Sequence, residues 1–318
     1  MKKTLKIFAV IIIVATVIAG AIAAINYFTD STDLNDKNTV SETHTSENVT
    51  ATNNTLNPED IEWNGDGFEA VNNDGLVNIL LIGQDKREGE SRQRSDAMIL
   101  CSFNPETQQL SMISFLRDLY VRIPDYEDNR LNAAYAYGGF ELLKETLELN
   151  FGISVDGCLE SDFEGFEKII DTVGGVEIEL TAAEAEIIGG GATEGVCTLN
   201  GEQALTYARI RKIDSDFQRT ARQRKIMGAV FEKAKTYTLP ELAVFFSEIL
   251  TLMSTDMTDD EMMSLALTFA SSFQNVEIKS FIVPSEGTYM NATINGMSVL
   301  VPDLYEIKKL IFEEYLPM

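Results

Sequence analysis

Residues 77–83 read Val77-Asn78-Ile79-Leu80-Leu81-Ile82-Gly83. A short, almost unbroken apolar run closed by glycine predicts a strand buried on both faces. On its C-terminal side, Ala97 to Phe103 and Leu110 to Phe115 read as two further strands, joined by a turn at Asn104-Pro105-Glu106-Thr107. Gly139 to Leu149 is a helix candidate. Phe163, Phe166, Ile169, Ile170 and Val173 recur at helical spacing behind Ser161 or Asp162 as N-cap. Gly174-Gly175 ends that helix, and Val176 to Leu180 resumes as a strand. A Gly189-Gly190-Gly191 loop precedes a helix from about Thr220 to Lys235. Two more helices are expected around 240–253 and 258–273. A late strand at Ile278 to Val283 and a closing helix at Tyr305 to Tyr315 complete the pattern. Interleaved strands and helices without internal repeat indicate an α/β fold: a single layered α-β-α domain, its central mixed sheet flanked by helices.

Composition excludes several functions. The 318 residues carry a formal net charge of -25, a balance that repels nucleic acid, and no nucleic-acid-reading motif occurs. The single histidine, His44, lies in a polar stretch far from any folded pattern. That argues against Ser-His-Asp and Cys-His catalysis and against histidine-rich zinc sites. A general base should then be a carboxylate, and a metal should be a hard ion held by oxygen. Cys101, Cys158 and Cys197 form no CxxC pair. Cys101 reads as core, and a Cys158–Cys197 disulfide is open.

The N-terminus is Lys2, Lys3 and Lys6, then an uncharged run from Ile7 to Ile25. In a helix this run spans roughly 28 Å, about a bilayer core. Lysines before it and acidic residues after it put the N-terminus in the cytoplasm and the rest outside. A signal peptide cleaved near Ala21-Ile22-Ala23 is the other reading; the length of the run favours a retained anchor. Residues 29–75 are rich in Asn, Thr, Ser and Asp and read as a solvated, disordered tether. The expected layout is a tail at 1–6, a transmembrane anchor at 7–28, a linker at 29–75 and an extracellular domain at 76–318, with a motif core at 77–225.

The eleven arginines all lie between Arg87 and Arg224, in three windows. Their distribution fits either ordinary ion pairing with the many Asp and Glu or one anionic site assembled by folding. Position favours the second. Asp85 and Arg87 follow the first strand, where ligands of open α/β sheets bind. Arg94 and Asp96 introduce the next strand, so Asp85 and Asp96 can approach each other; paired carboxylates hold Mg²⁺ beside substrate phosphates, although either can equally be a turn residue. Arg117-Asp118 directly follows the third strand, and Arg130 precedes a helix with Tyr135 and Tyr137. Arg209 and Arg211 would share a face of an extended segment. Arg219, Arg222 and Gln223 are spaced i, i+3 and i+4 on a stripe that continues through Ile226 and Val230, at a helix N-terminus suited to anions.

In this order, "NILLIGQDKR", "RSDAMIL", "SFLRDLYVRIP", "RLNAAYAYGG", "GFEKIIDTVGGVEIEL", "LNGEQALTYARIRK" and "DFQRTARQ" resemble the LytR-CpsA-Psr family. The likeness is strong from 77 to 225; beyond 225 only the helix pattern fits. The resemblance implies a phosphotransferase of the Gram-positive type envelope, single-pass in the cell membrane. It would move a glycopolymer, such as teichoic acid or capsular polysaccharide, from undecaprenyl pyrophosphate to peptidoglycan. Asp85 and Asp96 would hold Mg²⁺ or Mn²⁺. Arg87, Arg94, Arg117, Arg130, Arg209, Arg211, Arg219 and Gln223 would surround the pyrophosphate. Asp85, Arg94, Arg117, Asp118 and Arg219 would carry catalysis, with Asp85 or Asp118 taking the acceptor's proton. Arg130 stands where the family often has Lys, and Leu116 where it often has Pro. A pyrophosphatase cleaving the same bond with water, and a non-catalytic carrier-binding protein, are the alternatives.

Overall fold

The computed structural model describes residues 54–68, 75–84, 94–210, 213, 216–237, 252–262 and 277–317. The expected span at 7–28, the helix at 240–253 apart from its last two residues, and the helix expected at 258–273 beyond 262 lie outside these. Among the described residues no helix is long and apolar enough to cross a membrane.

The apolar run at 77–83 forms β1 (Val77–Gln84), followed by β2 (Ser95–Asn104) and β3 (Gln109–Phe115). A short ladder, β4 (Tyr120–Val121) and β5 (Asn129–Arg130), leads into α1 (Leu131–Phe151), which is kinked at Gly139 (φ 70°). Next come β6 (Gly157–Ser161), α2 (Phe163–Thr172), β7 (Val176–Leu180), α3 (Ala182–Ile188), β8 (Gly195–Leu199) and α4 (Gly201–Ala208). The rest is α5 (Asp216–Lys235), β9 (Ser254–Thr255), β10 (Glu277–Val283), the hairpin β11 (Tyr289–Ile294) and β12 (Met297–Pro302), and α6 (Leu304–Leu310).

The central sheet has the order β10-β3-β2-β1-β6-β9. β1 pairs antiparallel with β2 and parallel with β6, β2 pairs antiparallel with β3, and β3 pairs parallel with β10. The carboxyl ends of β1, β3, β6 and β10 therefore share one edge. Alternation sorts the side chains into two layers. Ile79, Leu81, Ile99, Cys101 and Leu159 join a core under α2, α4 and α5. Leu80, Ile82, Met98, Leu100 and Ile113 join one under α1 and α6. Each fully buried Leu or Ile contributes about 1.5–3 kcal/mol, and covering both faces explains why β1 is apolar throughout.

One expectation is corrected, and the pairing left open for Cys158 and Cys197 is answered. Residues 54–68 do not behave as tether. Leu56, Ile61 and Trp63 pack against the β11–β12 hairpin core, and the Leu56 amide donates to the Thr293 carbonyl (3.1 Å). Trp63 stacks on Tyr120 (6.3 Å), and Phe68 packs on Tyr305 and Phe312. Four large apolar side chains suffice to seat the segment. Cys158 and Cys197 are free; one belongs to the α1 layer and the other packs against the α2 layer, on opposite faces of the sheet.

Candidate functional site

A cleft with about 1230 Å³ of open space runs between the sheet and helices α2, α4 and α5. Its floor is Leu81, Ile99 and Leu159; its walls include Phe166, Ile169, Leu205, Ile226, Met227 and Val230. The cleft is almost wholly apolar. At the carboxyl edge of the sheet the lining turns polar: Asp96, Ser161, Asp162, Arg209, Arg219 and Gln223. An apolar chamber with a charged rim suits an amphiphile with an anionic head.

The sequence builds this rim from caps and helix phase. Asp162 caps α2 by accepting from the Gly165 amide (2.8 Å), so Ser161 and Asp162 sit where β6 delivers them. Asn200 and Gln203 form a capping box that starts α4. That helix ends at Arg209, which is its C-cap rather than part of an extended segment. The Arg209 guanidinium lies over the Phe163 ring, 4.3 Å from its centroid, a cation–π contact that holds an exposed arginine at the rim. Arg219 enters from the first turn of α5 and is 2% exposed. Gln223, one turn on, lines the same wall.

From Asp96 a chain of alternating charge follows the sheet edge. Arg117 Nη1 donates to Asp96 Oδ1 (2.6 Å), Arg117 Nε lies 3.5 Å from Asp118 Oδ2, and Arg130 Nη1 lies 3.4 Å from Asp118 Oδ1. All four side chains are partly buried, which raises the strength of such pairs above that of surface ones. The Arg117-Asp118 turn is pinned on both sides: Leu300 N donates to the Asp118 carbonyl (2.9 Å) and Asn132 N to that of Arg117 (3.3 Å).

The structure thus brings together Asp96, Arg209, Arg219 and Gln223 on the cleft, with Arg117, Asp118 and Arg130 joined to them through Asp96. Arg94 is exposed ahead of β2 and does not line the cleft. Asp85, Arg87 and Arg211 lie outside the described residues. Arg222 leaves the stripe on which its spacing puts it. Its Nε donates to Glu184 Oε1 (2.9 Å) and its Nη1 to the Ile210 carbonyl (3.0 Å). Neighbouring helical residues point about 100° apart, so Gln223 faces the cleft while Arg222 faces α3. Burial pushes the Glu184 carboxyl upward, but bonds from Thr181 and Arg222 outweigh it and hold the group below its ordinary value. Phe163, Ser161 and Asp162 are rim residues that an arginine-centred reading passes over; the strand-to-cap junction at 161–163 is their signal. Arg224, beside Gln223, donates to Ser114 Oγ (3.2 Å), and burial lowers it to about 10.

Among the described residues no group of three or more His, Cys, Asp or Glu side chains is gathered as for a metal. Asp96 is the described half of the expected carboxylate pair. Mg²⁺ takes one or two protein carboxylates and completes its shell with water and phosphate oxygens, so a hard oxygen donor on this rim fits that ion.

The chain is 35% identical over 244 residues, 74% of its length and 73% of the relative's, to the polyisoprenyl-teichoic acid–peptidoglycan teichoic acid transferase TagU of Oceanobacillus iheyensis. It is 32% identical over 229 residues, 71% and 69% of the two lengths, to the regulatory protein MsrR of Staphylococcus aureus. The solved structure of YwtF (TagT) with bound octaprenyl pyrophosphate lipid superposes with a TM-score of 0.58 at 25% identity, covering 76% of this chain and 91% of that one. The match to the LytR_cpsA_psr family extends over residues 28–313, and the chain belongs to that family.

Proposed function

We propose that this protein is a membrane-anchored, extracellular phosphotransferase that moves a glycopolymer from a polyprenyl-pyrophosphate carrier, undecaprenyl in type, to peptidoglycan. The observation that carries the reading is the apolar cleft ending among Asp96, Arg209, Arg219 and Gln223. The prenyl chain lies in the cleft and the pyrophosphate on the rim, as the lipid-bound relative and the transferase relatives support.

Phosphoryl transfer asks mainly for positioning and charge neutralisation. Arg219, buried at the rim, and Arg209, held over Phe163, take the phosphate oxygens, while Gln223 donates from the same wall. An acceptor hydroxyl attacks the phosphorus that bears the glycan. A new P–O bond forms, the P–O bond to the polyprenyl phosphate breaks, and the product is a phosphodiester. Arg117 moderates the negative charge on Asp96 and faces the site through it. Asp118 is held between Arg117 and Arg130, which suits it to orient both guanidiniums; Asp85 or Asp118 takes the acceptor's proton. Asp96 with Asp85 would hold Mg²⁺, which when bound adds positive charge against the phosphates.

The test is transfer by the purified full-length protein of labelled glycan from a polyprenyl-pyrophosphate donor to peptidoglycan fragments, with Mg²⁺ or with chelator. Label in a phosphodiester on the fragments, lost in Asp96→Asn, is the expected result. Release of free glycan phosphate at equal rates with and without fragments would establish a pyrophosphatase instead. Donor bound but never cleaved would leave the protein a carrier-binding one.

A further inference from the structure

Tyr126 and Tyr137 are among the few large hydrophobic side chains left in solvent, 51% and 41% exposed. They are stacked on each other, with ring centroids 5.0 Å apart and planes 18° from parallel. Tyr126 ends a tight turn in which its amide donates to the Ile123 carbonyl (3.1 Å), with Asp125 at φ 60°. Tyr137 stands on α1 two residues before the Gly139 kink, and its hydroxyl accepts from Asn129 Nδ2 (2.9 Å). The next residue after Asn129 is Arg130, whose guanidinium pairs with Asp118 in the charged chain at the cleft rim. The aromatic pair is therefore tied, through one strand, to the end of the site farthest from the apolar cleft.

Stacked on each other, the rings cover their inner faces and leave an outer aromatic face on each to solvent, at little conformational cost, since each tyrosine has only two side-chain torsions. The apolar faces of pyranose rings rest on such surfaces while their edges keep hydrogen bonds. Charge narrows the ligand. The segment Ile123 to Asp128 carries Asp125, Glu127 and Asp128 and no lysine or arginine. A polymer of phosphates would be repelled there, whereas an uncharged sugar would not. We propose that the Tyr126–Tyr137 pair is the platform on which an N-acetylhexosamine glycan, the acceptor strand, rests beside the arginine cluster. This assignment rests on the transferase reading of the cleft. It places acceptor and lipid on opposite sides of the Asp96–Arg117–Asp118–Arg130 chain, which is the arrangement transfer between them requires.

The experiment is saturation-transfer NMR on the full-length protein with the N-acetylglucosamine tetramer, and with polyglycerol phosphate as anionic comparison. Octaprenyl pyrophosphate retention is measured by mass spectrometry on the same preparations. Wild type should bind the tetramer and not the polyglycerol phosphate. Tyr126→Ser, at an exposed turn, should weaken tetramer binding about tenfold, as loss of one stacked ring does, while Tyr126→Phe should leave it unchanged and lipid retention should be the same in all three. In the transfer assay Tyr126→Ser should raise the KM for acceptor with kcat kept. Tetramer binding that is absent in wild type, or equal in wild type and Tyr126→Ser, overturns the platform, as does equal binding of polyglycerol phosphate. Loss of lipid retention in wild type would instead count against the cleft assignment, leaving the glycan result to be judged by its own arm.

Discussion

The buried pair Arg222–Glu184 gives a sharp test of how the rim is held. Arg222→Met keeps the apolar stem and removes the guanidinium. Glu184, whose side chain is 10% exposed, is then left charged and without its Arg222 contact. Breaking a buried ion pair by removing one partner costs about 3–5 kcal/mol. Glu184 also serves its own helix. Its Oε2 accepts from Thr181 N and Oγ1 at 3.0 Å, closing the capping box of α3. The companion change should therefore be Glu184→Gln, which keeps the cap and removes the charge. The double variant is expected within about 2 kcal/mol of the parent, because two neutral groups need no ionic partner. Urea unfolding followed by circular dichroism gives the differences. The pH dependence has a definite sign. The Glu184 carboxyl is held below its ordinary value of 4.5, so its contribution is present above that pH and is lost as pH falls through the folded value. The gap between parent and Arg222→Met should stay constant from pH 6 to 8 and close in acid. A single variant within about 1 kcal/mol of the parent at pH 7, against the 3–5 expected, or a gap indifferent to acid, would refute the argument that this pair is sealed from water.

Three further outcomes are expected. Arg219→Ala should lower the transfer rate about 10²–10³-fold, as removal of a preorganised donor does, and Arg219→Lys should restore only part of it because the planar fork is lost; both are read in the glycan-transfer assay. Met227→Trp, which fills the cleft wall, should cut octaprenyl pyrophosphate retention more than about tenfold, or more than about 1.4 kcal/mol, without lowering the unfolding midpoint; mass spectrometry of organic extracts checks the first and thermal melting the second. Thiol labelling at pH 8 should modify Cys197 alone, since burial pushes Cys101 and Cys158 up to about 12 whereas hydrogen bonds from Thr193 draw Cys197 below the ordinary thiol range. A mass increase of a single label, lost in Cys197→Ser, is the expected spectrum.

What can be read from the sequence depends on the range of the cause. β1, β2, β3, β7, α2 and α5 are set by local periodicity, and the rim residues they carry follow with them, whereas β6, which delivers Ser161, is too short and mixed to show. The hairpin at 289–302 escapes apolar spacing, because the run from Tyr289 to Ile294 is weakly patterned. Its turn is nonetheless the strong local signal Asn295-Gly296, both residues at positive φ. An extended reading of Arg209 and Arg211 gives no weight to the Asn200 and Gln203 capping signal ahead of them. Arg222 is beyond reach. The carboxylate that turns it away from the cleft is 38 residues distant, and only tertiary packing brings the two together. Residues 54–68 are hidden in another way. Averaged over 29–75 the composition is polar, yet Leu56, Ile61, Trp63 and Phe68 fall within a few turns of one another and together find a surface. The apolar cleft itself is unreadable, since Ile226 and Val230 serve as core and as cleft wall at once.

The strand directions give the molecule two unequal edges. Among the described residues, the four strands that run in parallel deliver their carboxyl ends to the rim, where Asp96, Arg209, Arg219 and Gln223 collect. The β2–β3 turn at 104–109 lies at the other edge, closed on itself by Asn104 Oδ1, which accepts from Glu106 N (2.9 Å) and Thr107 N (3.2 Å). Nothing in that turn touches the cleft. A fluorophore or affinity handle attached at Thr107 would sit a whole strand length from the chemistry. It could report on the orientation of the domain over a surface, or tether it to a chip, while the working edge stays open to lipid and glycan.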